Sequence, residues 1–127
     1  MKLFTMVLFL GLFLGTTSFA QEDSRASCFK KTKTWLSLRT YDSQDKAVER
    51  AVTVCSRGGS FECMHESYYW ILQATYSGPS KALDYATEIC SQGGNIDCVK
   101  ESHKWLLENT YESPDKALAR AVELCTW

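Results

Sequence analysis

The chain has 127 residues, of which 14 are Lys or Arg, 15 are Asp or Glu and six are cysteine, giving a formal net charge of −1. This length suits one small domain with a modest core, and the near-balance of charge gives neither nucleic acid nor an anionic membrane a bulk electrostatic reason to bind. An even cysteine count lets every thiol pair if the compartment is oxidising.

Residues 1–20, MKLFTMVLFLGLFLGTTSFA, read as a cleaved secretory signal peptide: one lysine, an apolar run from Leu3 to Leu14, then small residues with Ser18 and Ala20 before the cut. The apolar run is shorter than the ~20 residues that span a bilayer. The expected mature chain, Gln21 to Trp127, is secreted or periplasmic, does not associate with the membrane after cleavage, and has thirteen basic against fifteen acidic residues once Lys2 is removed. Residues 21–27 form a short N-terminal segment ahead of the first cysteine.

From Cys28 onward the chain repeats. Blocks 28–62, 63–97 and 98–127 align without a gap at a period of 35 residues. Trp35, Trp70 and Trp105 coincide, as do Thr40-Tyr41, Thr75-Tyr76 and Thr110-Tyr111, then Lys46-Ala47, Lys81-Ala82 and Lys116-Ala117. A period of this length marks a helical array in which neighbouring units bury each other's faces. The expected fold is all-α: a short α/α solenoid of three 35-residue helix-turn-helix repeats, stapled by disulfides.

Within a block, the first helix shows as a stripe at helical spacing, Cys63, Ser67, Trp70, Ile71 and Ala74, repeated as Cys98, Ser102, Trp105 and Leu106. A break follows, with Gly78-Pro79 and Ser113-Pro114 placing a cap before a proline at the first helical position, and Ser43 capping without one. The second helix carries Ala47, Val48, Ala51, Val54 and Cys55, and its copy carries Ala82, Leu83, Ala86, Ile89 and Cys90. Gly58-Gly59 and Gly93-Gly94 end the second helices, and Ser60 or Asn95 caps the next first helix.

Neither C-x2-C nor a repeating histidine occurs, since His65 and His103 fall at different block positions, so the cysteines read as structural disulfides and no metal or cofactor is expected. In an up-down array all six lie along one edge. Pairing within blocks joins Cys28 to Cys55, Cys63 to Cys90 and Cys98 to Cys125, whereas pairing across the Gly-Gly turns strands Cys28 and Cys125. Parity favours the within-block set, and each such loop contributes about 3.5 kcal/mol by the chain-entropy estimate.

KALDYATEIC, Lys81 to Cys90, resembles the second-helix phrase of the Sel-one-like repeats, and the C-x7-C junction is similar to that of the Helicobacter cysteine-rich proteins, a secreted, disulfide-bridged branch of that superfamily. The resemblance covers Cys28 to Cys125. Trp and Thr-Tyr stand here where the family has Leu-Gly and a glycine-rich loop, and the period is a residue shorter. The cysteine series also has the opposite phase, so the family's connectivity is not carried over.

The repeated tryptophans are expected in the core and Tyr41, Tyr76 and Tyr111 between helices, with their hydroxyls near the surface. Positions that vary between blocks are the better binding candidates: Lys33, Tyr68, Tyr69, His103 and Lys104 on successive first helices. No converging nucleophile, base and orienting group is legible, so no catalytic residue is assigned. The expected function is a module that binds a protein or peptide; the resemblance implies as an alternative a small cell-wall-ligand binder or weak hydrolase of the β-lactam type. Val122 and Leu124 are expected to face outward from the third block as an apolar edge, fit for a tail-to-tail homodimer.

Overall fold

Ser43, Ser60, Asn95 and Ser113 each accept a hydrogen bond from a backbone N–H in the first turn of the helix that follows, so four helix starts are fixed by short polar side chains. The fifth start, at Gly78, has no side-chain cap and relies on Pro79 at the first helical position. The computed structural model describes residues 24–126; the expected signal peptide at 1–20, the rest of the segment up to 23, and Trp127 lie outside them. Six helices make up the described residues: α1 (24–39), α2 (Gln44–Ser56), α3 (Phe61–Ala74), α4 (Pro79–Ser91), α5 (Ile96–Asn109) and α6 (Pro114–Cys125). The fold is all-α.

The helices pair as hairpins, α3 with α4 and α5 with α6, and successive blocks touch through like elements: α2 with α4, α4 with α6, α3 with α5. Three disulfides close the hairpins, Cys28–Cys55, Cys63–Cys90 and Cys98–Cys125, each with Cα atoms 5.8 to 5.9 Å apart. This is the within-block set. A hydroxyl at one block position lies against each bond: Thr32 Oγ1 is 3.8 Å from Cys55 Sγ, Ser67 Oγ 3.7 Å from Cys90 Sγ, and Ser102 Oγ 3.6 Å from Cys125 Sγ. Only a small side chain leaves room there for the bridge. Three disulfides fit an oxidising compartment, and no helix of the described residues is long and apolar enough to cross a membrane.

The two glycines of each junction do different jobs. Gly58 and Gly93 take positive φ, +83° and +69°, which turns the chain out of α2 and α4. A Cβ on Gly59 would stand 2.5 Å from the Cys90 carbonyl oxygen and 2.6 Å from Val54 Cγ1, so that glycine lets the next hairpin approach.

The core runs through all three blocks: Leu36, Met64, Ile71, Leu83, Ile89 and Leu118 are fully buried, and burying a side chain of this size contributes about 1.5–3 kcal/mol. Equivalent positions are nevertheless not equally buried. Trp35 is 8% exposed, Trp70 is half-buried and Trp105 is 60% exposed. The expectation that all three are core therefore fails for the third. The reason is positional, because each tryptophan packs on the next first helix: Trp35 against Phe61 and Tyr68 of α3 (ring centroids 5.9 and 5.4 Å), Trp70 against His103 of α5 (5.3 Å). Among the described residues no next block covers Trp105.

The second helices show the same polarity. Val54 and Ile89 are fully buried while their equivalent Leu124 is exposed, so this position faces the following block. Val52 is exposed while its equivalent Val122 is buried, so that position faces the preceding one. The expected apolar edge of Val122 and Leu124 is thus corrected: Val122 belongs to the interior, and the open face of the third block consists of Trp105, Leu106 and Leu124.

Candidate interaction surface

Each first helix ends on a Thr-Tyr pair, and the threonine does two things at once. Thr40, Thr75 and Thr110 donate their hydroxyls to the carbonyls of Leu36, Ile71 and Leu106, one turn back. Each hydroxyl oxygen also accepts from the N–H two residues on, at Asp42 (3.3 Å), Ser77 (3.2 Å) and Glu112 (3.3 Å). This clamp closes the helix and fixes the intervening tyrosine outside it. Tyr41 is 91% exposed, Tyr76 is 86% exposed and Tyr111 is fully exposed. The expectation that they pack between helices is overturned. One tyrosine per block stands along the edge opposite the disulfides.

Beside that edge, the layer of first helices carries two shallow grooves. The one between α1 and α3, about 450 Å³, is floored by Trp35 and Phe61 and rimmed by Lys30, Lys31 and Arg39, with Leu38 exposed at its end. The other, between α3 and α5 and about 490 Å³, is floored by Trp70 and Leu107 and rimmed by Lys100, Lys104 and Glu108. Lys100 is already engaged, since its Nζ donates to Glu66 Oε1 at 2.9 Å. Both grooves join an indole to lysine side chains.

The five residues singled out in the sequence do not form one surface. Lys104 is exposed, Lys33 is half-buried, and Tyr69 is partly exposed beside His65, ring centroids 4.8 Å apart. Tyr68 (4% exposed) and His103 (3%) are inside, as the rings that receive Trp35 and Trp70 from the preceding block. Variation at that position reflects different partners for a buried indole rather than an open face. Burial pushes the Tyr68 phenol above its ordinary value, and Tyr69, Tyr41 and Asp42 add to the rise. His103 Nε2 lies 3.1 Å from the Pro114 carbonyl oxygen in the interior, and exposed His65 lies beside Trp35 and Phe61, both centroids 5.5 Å away. Among the described residues no group of three or more His, Cys, Asp or Glu side chains is placed to hold a metal ion.

The exposed tyrosines, by contrast, were missed as a surface. Their repetition looked like a packing requirement. The available signal was the preceding threonine, a residue whose hydroxyl closes a helix and turns its successor outward.

Comparison with family models, with curated proteins and with solved structures gives no match for this chain.

Proposed function

We propose that the chain is a secreted or periplasmic helical-repeat protein that binds a protein or peptide along its first-helix layer and tyrosine edge. One observation carries the reading: three equivalent tyrosines are held in solvent by the same threonine clamp. A tyrosine retained for packing is buried, as Tyr68 is. An exposed one offers a large, rigid contact surface with few torsions to freeze, which is why tyrosine is enriched where proteins meet.

The grooves beside the edge supply the rest of the chemistry. Indole floors favour apolar side chains, and Lys30, Lys31 and Arg39 on the rim of the first groove favour carboxylates, while the second mixes Lys104 with Glu108. The partner this suits is an acidic segment with interspersed apolar residues. The resemblance of Lys81 to Cys90 and of the C-x7-C junction to the disulfide-bridged Sel-one-like repeats bears on the repeat architecture and not on the ligand. A leader over residues 1–20 would deliver the chain to the oxidising space that its disulfides need.

Selection of displayed random peptides on the oxidised protein tests this. The expected result is enrichment of acidic, apolar-containing peptides whose affinity falls about tenfold or more with Tyr76→Ala/Tyr111→Ala at an unchanged melting temperature, since a tenfold loss corresponds to ~1.4 kcal/mol. Peptides that bind the double variant as tightly as the parent would remove the tyrosine edge from the account, and a selection that enriches nothing would remove the module reading itself.

A further inference from the structure

Among the described residues the two end faces of the array are uncovered, and they are complementary to each other. The tail face, on α5 and α6, is a groove of about 800 Å³ lined by Ser102, Trp105, Leu106, Arg120, Glu123 and Leu124. The head face, on α1 and α2, exposes Val48 and Val52, whose equivalents Leu83, Leu118 and Val122 are buried at the internal junctions. What joins blocks inside the chain shows what would join these two faces.

Four polar contacts cross the internal junctions among the described residues; one of them, Arg50 Nη1 to Thr87 Oγ1 at 3.4 Å, has the apolar Val52 as its head-face counterpart, and the other three have polar counterparts. Arg50 Nη1 meets Asp84 Oδ1 at 2.8 Å from block one to block two. From block two to block three, Glu66 Oε1 meets Lys100 Nζ at 2.9 Å, and the Tyr76 N–H donates to Asp115 Oδ1 at 3.0 Å. Neither junction has all three, because the equivalent positions are Tyr85 and Ala119 for the first, Lys31 and His65 for the second, and Tyr41 and Ser80 for the third. Carried 35 residues further, the tail positions are Arg120, Glu101 and the Tyr111 N–H. The head positions that would meet them are Glu49, Lys30 and Asp45. All three pairs have the correct sign.

Arg120 also shows half of a finished arrangement. Arg50 bridges Asp42 of its own block (2.8 Å) and Asp84 of the next. Its counterpart Arg120 holds the own-block partner Glu112 at 2.6 Å and leaves the other side open to solvent. In the same register, Trp105 would receive Lys33 where Trp35 receives Tyr68 and Trp70 receives His103, and a cation over an indole is an attractive pair.

From this we infer that the tail face binds the head face of a second copy, continuing the repeat register from block three into block one of the next chain. The contact is heterologous, so it builds open chains of copies rather than a closed dimer. It shares Lys30 with the rim of the proposed peptide groove, stacking would lengthen the tyrosine edge, and it is measured with no peptide present. It also differs from a tail-to-tail dimer, in which the head face plays no part.

Glu101→Lys and Lys30→Glu separate these cases, since both side chains are exposed and neither makes an ion pair among the described residues. In sedimentation velocity over a concentration series, the oxidised full chain should form species beyond the dimer. Each single reversal should weaken association by roughly fivefold or more, and mixing the two variants should restore it, because every junction between unlike variants again pairs opposite charges. Leu124→Arg should abolish association, with helicity by circular dichroism unchanged in all variants. A chain that stays monomeric throughout, a Lys30→Glu variant that associates like the parent, or singles that mixing does not rescue would each overturn the inference.

Discussion

Trp35 meets Tyr68 edge to face, ring centroids 5.4 Å apart and planes at 81°, and the contact joins the first block to the second. Further along, Trp70 meets His103 in the same way, while Trp105 is left in solvent. One repeated residue therefore occupies three environments.

Truncation should expose that gradient. Trp35→Ala removes a buried indole and should cost about 3 kcal/mol or more, whereas Trp105→Ala should stay within about 1 kcal/mol. Urea denaturation of both variants with the disulfides intact measures the difference. Equal losses at the two positions would mean that the third indole is covered in solution.

The disulfides set the stability of the whole array. Each closes a loop with a sequence separation of 27, worth about 3.5 kcal/mol in the chain-entropy model, against a total of ~5–15 kcal/mol for a domain. Non-reducing peptide mapping should recover the three within-block links and no free thiol, and full reduction should lower the melting temperature by tens of degrees. Recovery of a Cys55–Cys63 link would contradict the pairing.

Tyr68 should titrate late. Its phenol is raised above 10.0 by burial first, then by Tyr69, Tyr41 and Asp42. With the folded value above the unfolded one, the native state holds this proton longer, so the stabilisation is fully present below pH ~10 and is lost as pH climbs through the folded value. Alkaline difference spectroscopy should show a late-ionising component that Tyr68→Phe removes. A titration that Tyr68→Phe leaves unchanged would place that ring in water.

Much of this architecture was legible in the sequence because a repeat states its own alignment. Helix identity, caps and the Gly-Gly junctions followed from local chemistry at Ser43, Ser60, Asn95, Gly58 and Gly93. Parity and edge geometry gave the cysteine pairing. Repetition misled wherever the environment depends on a neighbouring block, which periodicity cannot see. Trp105 and Leu124 share their types with interior positions yet lie outside, and Val122 is buried where Val52 is exposed. The candidate surface was less legible still. Tyr68 and His103 vary because they answer different constraints within a junction, and Tyr41, Tyr76 and Tyr111 repeat although they are almost fully exposed.

The claim that the tyrosine edge is a contact surface is tested most directly by amide chemical-shift mapping of the oxidised, isotope-labelled protein with a selected peptide. Shifts are expected to cluster at Thr40 to Asp42, Thr75 to Ser77 and Thr110 to Glu112 and in the Trp35 and Trp70 grooves, with the C-terminal halves of α2, α4 and α6 unmoved. Shifts concentrated in the C-terminal halves of α2, α4 and α6, with the three tyrosines unperturbed, would contradict it.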